Sequence, residues 1–537
     1  MLRDPVAEGV ARGWKVVDLA SGSAPSRLEA DVCIIGTGAG GGVTAEILTR
    51  VGLSVVLVEE GPLKSSRDFK MREADAYPQL YQESAARKTT DKAINILQGR
   101  CVGGSTTVNW TSSFRTPQTT LGFWSERLGL RDCASESLAP WFDAMERRLS
   151  VTPWTVPPNQ NNALLARGAQ RIGVPTAAIR RNVNGCWNIG YCGMGCPTNA
   201  KQSMLVTTIP AALERGATLL VNAYALQFDG LVGARGSTAA LEVRSRPGST
   251  GTVASLRIDA RHFVLSAGAI GSPALLLRSR APDPYALLGR RTFLHPTVIS
   301  AALMPDAVNA HAGAPQTVYS DHFLDTVPVD GPIGFKLEAP PLHPVIFATT
   351  MAGYGTQHAS TMRDFNRTQV LLALLRDGFH EESPGGRVLL RDDGSPVLDY
   401  PLNDFVFDGI RRAFLAMAEI QFAAGAKEAF PVHEDAAPYR GWAEARSAIQ
   451  SLDLRPLSTR VVSAHVMGGC AMSADPRDGV VDTNGRHHHL SRISVLDGSI
   501  FPTSIGANPQ LSIYAIVARL ASRLASELTG RDAPLII

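Results

Sequence analysis

An α/β fold, with a Rossmann-like nucleotide-binding domain interleaved with an α+β domain, is predicted by three observations. The first is the segment ADVCIIGTGAGGGVTAEILTRVGLSVVLVEEGP, residues 30–62, which reads strand, glycine turn, helix, strand. A second is ILQGRCVGGSTTVNWTSSFRTP, residues 96–117, a run of glycine and hydroxyl residues that follows a charged, helical segment. The third lies near the C-terminus, where SAHVMGGCAM carries His465 and ISVLDGSIFPTSIGANPQLSIYAIVARL carries Asp497 and Asn508 just ahead of an apolar helix. Because these pieces are far apart in the chain, the nucleotide-binding domain is expected to be discontinuous.

Each residue type in the N-terminal unit has a physical reason. Val32 to Ile35 is a continuous, largely β-branched run, as a buried parallel strand requires, and Thr44 to Leu53 has helical spacing of its apolar positions. Gly36 permits a tight turn, Gly38 lets the backbone approach a pyrophosphate, and Gly41 lets the helix pack closely on the strand. The phosphates then sit on a helix N-terminus. Glu59 ends the second strand, where an acid accepts hydrogen bonds from adenosine ribose hydroxyls, and this favours NAD or FAD over NADP. The glycine-rich 96–117 stretch can offer successive backbone N–H groups to an anionic ligand.

Composition narrows the class. The 537 residues are 45% hydrophobic and 19% charged, an ordinary globular balance at a length that predicts two lobes. A net charge of +3, with no Lys/Arg-dense run among aromatics, argues against a nucleic-acid partner. No apolar stretch reaches membrane-spanning length, and the first residues lack the pattern of a secretion signal, so the expectation is a cytoplasmic protein without a membrane span. Seven scattered cysteines read as thiols rather than a disulfide frame. Neither an internal repeat nor a low-complexity tract is visible.

The chain resembles the glucose–methanol–choline (GMC) family of flavoprotein oxidoreductases over nearly its whole length. Gly99, Arg100, Gly103, Gly104, Ser105 and Asn109 match the family's glycine-rich signature. FVLSAGAIGSPALLLRSR, residues 263–280, resembles its second signature, with Arg280 where glycine is usual, and LGRRTFLHP, residues 288–296, resembles a third segment, with Leu294 in place of aspartate. The resemblance implies a GMC fold and FAD. It implies a discontinuous FAD-binding domain over 29–125, 185–300 and 455–537, with 126–184 and 301–454 on the substrate side. It assigns Asp497 and Gly498 to the ribityl and phosphate region of the flavin. Members that tether FAD do so through a histidine directly before the signature asparagine. That position is Val108 here, so the resemblance implies dissociable, non-covalent FAD.

Alcohol oxidation explains the C-terminal residue types. Hydride leaves a carbinol carbon only as the hydroxyl proton departs, so a base must touch that oxygen, and His465 is the candidate. By resemblance a second side chain shares the oxygen, and Asn508 occupies that place. An amide can hold the oxygen but cannot take the proton. Pro509 opens the helix predicted over 509–528, whose positive end would face the charge of reduced flavin.

NGCWNIGYCGMGCPTNAKQS, residues 184–203, allows two readings. Cys186, Cys192 and Cys196, with Pro197 following, suit a three-iron [3Fe-4S] cluster with one corner unligated. Alternatively the stretch is a glycine-rich turn with buried thiols, as its likeness to long-chain alcohol oxidases of the family suggests; zinc lacks a fourth ligand nearby. His487, His488 and His489 cannot all face one ion on a regular strand and are expected in a solvated turn. Met467 and Met472 read as packing residues.

The expected activity is FAD-dependent oxidation of an alcohol, apolar or long-chain by the likeness of Cys192–Ser203 and Phe335–Pro344, to an aldehyde or ketone. The electron acceptor is left open among oxygen, a quinone and a carrier protein. Two other readings stand beside it: an iron–sulfur-containing dehydrogenase subunit, and a flavoprotein lyase on the same fold.

Overall fold

The computed structural model describes residues 3–21, 24–231, 240–246 and 254–532. Its N-terminal unit follows the predicted pattern. Strand Arg27–Ile35 ends in four buried residues, helix Ala39–Arg50 follows the glycine turn, and strand Val55–Val58 is buried throughout. Apolar side chains on both faces of these strands fit a parallel sheet covered on both sides.

The sheet runs Lys15–Asp18, Thr218–Val221, Val55–Val58, Arg27–Ile35, Ser255–Leu265, Ala240–Ser245, Ala223–Asp229. Its first five strands pair in parallel and the last two form an antiparallel edge. The chain leaves Arg27–Ile35 toward one side first and comes back to its other side only at Ser255–Leu265. A crevice opens at such a reversal, outside the carboxyl ends of the strands. Ile493–Val495 also pairs in parallel with the end of Ser255–Leu265, placing Asp497 at the same carboxyl edge as Gly36.

A second sheet runs Ile94–Ile96, Val461–Ser463, Thr297–Leu303, Thr368–Leu375, Phe335–Glu338, Val318–Ser320, Ala177–Ala178, with Glu428–Pro431 also paired to Thr297–Leu303. Thr368–Leu375 and Phe335–Glu338 are buried at every position, and helix Asp404–Ala423 backs the sheet. Asn403 caps that helix by accepting from Val406 N at 3.1 Å, and Gly425, at φ +100°, follows its end.

Helix Gln510–Thr529 packs against both Ala39–Arg50 and Ser135–Arg148 and stops at Gly530, whose φ of +67° is the left-handed cap. Pro509 serves as its N-cap rather than its first residue. The apolar run after Pro344 forms helix Pro344–Thr350, where Glu73 accepts from Val345 N and Ile346 N at 2.6 and 2.9 Å and caps its first turn. One local expectation changes. Of the three histidines expected in solvent, His487 is buried, and its Nδ1 accepts from His489 N at 3.1 Å while His489 is exposed. Met467 and Met472 are buried in the core, as expected.

Candidate active site

A cavity of about 660 Å³ lies between the carboxyl ends of the first sheet and the second sheet. It gathers the predicted residues from all three chain segments: Gly36, Gly38 and Glu59 from the first; Arg100, Gly104, Ser105 and Asn109 from the second; His465, Asp497, Gly498, Asn508 and Pro509 from the third. Gly41 and Gly103 stand behind the wall. A Cβ on Gly41 would lie 1.9 Å from Gly36 O, and one on Gly103 would lie 2.4 Å from Thr107 Oγ1. Gly38 is different: the nearest atom to its Cβ position is Gly104 Cα, 3.9 Å away, so the space its missing side chain leaves is open to a ligand.

The acids at this end hold the fold together as well as lining the cavity. Glu59 Oε2 accepts from Thr37 N at 3.1 Å and Thr37 Oγ1 at 2.5 Å, while Oε1 accepts from Gly61 N at 2.9 Å. Burial still pushes its carboxyl up to about 7. Asp497 Oδ2 accepts from Gly268 N at 2.8 Å and Ser272 Oγ at 2.6 Å, and Oδ1 accepts from Ser499 N at 2.8 Å. Asp497 thus ties the C-terminal segment to the turn that opens helix Gly268–Arg278. Arg100 donates through Nη2 to Pro78 O at 3.0 Å, while its buried Nε has no protein partner. A buried cationic donor beside an open glycine cradle fits a phosphate-bearing ligand.

The glycine-rich loop is pinned from both sides. Ser105 Oγ accepts from Gly99 N at 2.9 Å, and Asn109 Nδ2 donates to Gln510 Oε1 at 2.7 Å, joining the loop to the start of the C-terminal helix. Behind it, the buried Lys201 ammonium donates to the carbonyls of Thr107, Asn109 and Cys192, each at 2.7 Å. That cation crosslinks the flavin-side loop to the cysteine segment.

The cysteines, among the described residues, are not gathered as the ligands of one ion. Among the described residues no group of three or more His, Cys, Asp or Glu is placed to hold an ion. Each thiol of the segment has its own local partner: Cys186 Sγ accepts from Asn188 N at 3.4 Å, Cys192 Sγ from Arg181 Nη2 at 3.7 Å, and Cys196 Sγ pairs with Thr198 Oγ1 at 3.4 Å. The Cys186, Cys192 and Cys196 cluster expected as one reading from spacing is therefore not supported; spacing counts residues, and the turns between them set where the thiols go.

His465 also lines the cavity; it is half-buried and its Nδ1 lies 3.3 Å from His295 Nδ1, with the rings at 89°. Gly506 N donates to His295 Nε2 at 2.9 Å, and a backbone N–H can only donate. His295 therefore carries its proton on Nδ1 and gives it to His465. Burial, and then the Lys336 charge, push His465 down to about 4. Lys336 is itself fully buried, paired with Asp321 and 3.9 Å from the centre of the Phe114 ring. Asn508 donates through Nδ2 to Glu338 Oε2 at 3.4 Å. The sequence reading missed His295 as a partner of His465, and it missed Gln316, Lys336 and Glu338 altogether. They reach the site through the second sheet, and no short motif joins them to it.

Two family models, described as the N-terminal and C-terminal regions of GMC oxidoreductases, match residues 77–297 and 382–517, most of the chain. The chain belongs to the GMC oxidoreductase family. It is similar to two long-chain-alcohol oxidases of Arabidopsis thaliana: one is 26% identical over 91% of this chain and 68% of that protein, and the other 28% identical over 94% and 68%. It is 29% identical, over 95% of this chain and 78% of its own length, to an uncharacterized GMC-type oxidoreductase of Mycobacterium tuberculosis. Solved structures share the fold: Aspergillus oryzae formate oxidase has a TM-score of 0.68 at 15% identity, covering 94% of this chain and 99% of that one. Pyridoxine 4-oxidase from Mesorbium loti has a TM-score of 0.66 at 18% identity, covering 92% and 98%. This GMC protein is thus an FAD-binding oxidoreductase acting on CH–OH donors. No described helix is long and apolar enough to cross a membrane.

Proposed function

We propose that this GMC oxidoreductase oxidises an apolar, long-chain alcohol to the carbonyl compound, with His465 and Asn508 holding the alcohol oxygen. The observation that supports the reading is that His465 and Asn508, from two C-terminal segments, line the same cavity as the glycine cradle around Gly38. The long-chain preference rests on the two plant relatives, which are named for that activity. FAD, when bound, supplies the hydride acceptor. Gly38, Arg100 and Asp497 would hold it, non-covalently, since Val108 offers no group for attachment. The segments 29–125, 185–300 and 455–537 form the flavin side in this reading, and 126–184 and 301–454 the substrate side.

His465 takes the hydroxyl proton as the carbon–hydrogen bond breaks. Its Nδ1 accepts from His295 at rest, so Nε2 is free to accept only after that hydrogen bond reverses. That reversal moves the His295 Nδ1 proton to His465 Nδ1, passes the His465 Nε2 proton to solvent and brings a solvent proton to His295 Nε2, which releases the Gly506 N–H. The second role, holding the oxygen as charge develops on it, falls to the Asn508 amide. A cluster-bearing electron-transfer subunit draws no support from the cysteine geometry, and the lyase reading is separated by flavin reduction. His465→Ala tests the assignment: turnover should fall about a hundredfold or more with FAD still bound. Unchanged turnover would remove His465 from the chemistry.

A further inference from the structure

Glu338 ends strand Phe335–Glu338 and is completely buried. Its Oε2 accepts from Gln316 Nε2 at 2.5 Å and from Asn508 Nδ2 at 3.4 Å, and both donor residues line the cavity. Its Oε1 has no partner, and neither does Asn508 Oδ1, although both atoms are shielded from solvent. A bonded carboxylate–amide pair with two empty, buried acceptors is one donor short. A proton on Glu338 supplies that donor. The carboxyl can then give a hydrogen bond to Asn508 Oδ1, provided the amide turns over, and the two ends of an amide differ only in which is donor and which acceptor. Ionised Glu338 requires Nδ2 toward itself, and protonated Glu338 accepts the opposite sense.

On the reading that this cavity oxidises an alcohol, we propose that Glu338 is a proton-linked positioning residue whose charge decides which end of the Asn508 amide meets the alcohol oxygen. The surroundings place this switch where it can act. Lys336, two residues back on the same strand, and its partner Asp321 pull in opposite directions on Glu338; Tyr319 lies directly across from it in the neighbouring strand, and Leu372 on the other side carries no charge. Burial outweighs these and brings the carboxyl up to about 7. Above that pH the group is ionised and the amide sits as observed. Below it the carboxyl is protonated and the amide is free to turn over. The ionised arrangement is the productive one, because it leaves the second N–H of Asn508 for the alcohol oxygen.

The test combines a pH profile with infrared spectroscopy on the purified holoenzyme. Wild-type kcat/KM for a medium-chain primary alcohol should rise through about pH 7, a limb separate from that of His465 at lower pH. Glu338→Gln should lose the upper limb and fall about tenfold or more in kcat with KM little changed, while flavin content stays full. Glu338→Asp should restore the limb. Without substrate, the carboxylic acid carbonyl signal that appears between about pH 9 and pH 5 should lose one component in Glu338→Gln, the Glu59 component remaining, and that same component should shift in Asn508→Leu. A limb that survives in Glu338→Gln, or a band indifferent to Asn508→Leu, overturns the proposal. If no alcohol is turned over while both infrared results hold, the alcohol reading falls and the Glu338–Asn508 coupling stands.

Discussion

Lys336 is the side chain through which charge reaches both His465 and Glu338. Its buried ammonium helps hold His465 near 4 and draws Glu338 down against burial. Replacing it with methionine keeps the volume and removes the charge, so both groups should titrate higher. Because each must lose its proton to act, the acidic limbs of kcat/KM should both move to higher pH. A pH–rate profile of Lys336→Met checks this, and limbs that stay put would mean the charge is screened from the site. Which of these residues the sequence disclosed follows from how local each one's signal is. His465, Asp497 and Asn508 sit in short segments with recognisable neighbours. Glu338 and Lys336 sit in FKLE, where the family likeness of Phe335–Pro344 gives neither side chain a role, and they become functional only where Phe335–Glu338 lies beside Thr368–Leu375 and Glu338 meets Asn508 of the C-terminal segment.

At the scale of elements, two devices hold the flavin-side turns in place. Gly41 packs its helix against the Gly36 carbonyl so closely that Gly41→Val should displace the turn and abolish FAD retention, measured as flavin absorbance per protein after gel filtration. Lys201 clamps the 105–109 loop to the cysteine segment through three carbonyls. Lys201→Met leaves those carbonyls without a donor, at a cost of about 3 kcal/mol or more. Faster flavin release on dilution should follow, and release at the wild-type rate would show the loop to be held elsewhere. The clamp gives the cysteine stretch a structural part to play. From sequence alone three closely spaced thiols and a lysine could be read either way, because only the fold shows which backbone atoms the lysine reaches.

Taken whole, the molecule brings its functional residues together by crossing the chain between two sheets. The first sheet was legible because its strand–turn–helix–strand unit is contiguous and each residue type has a stereochemical reason. The second was largely illegible. Its strands are two to eight residues long and come from positions as far apart as 94–96, 297–303 and 461–463, so no local periodicity announces their pairing. The helix Gln510–Thr529 is part of the core on the first sheet's side, packed against Ala39–Arg50 and Ser135–Arg148. Ile516→Ala, at a fully buried position in it, should cost about 2–5 kcal/mol and lower the Tm without altering the pH profile.

Reduction of bound flavin by an alcohol is the central step of the proposed activity. The most direct measurement is an anaerobic absorbance spectrum of the purified protein before and after a medium-chain primary alcohol is added. Oxidised flavin bands that bleach on addition, and fail to bleach in His465→Ala, are the predicted result. Flavin that stays oxidised across short-, medium- and long-chain alcohols would contradict it.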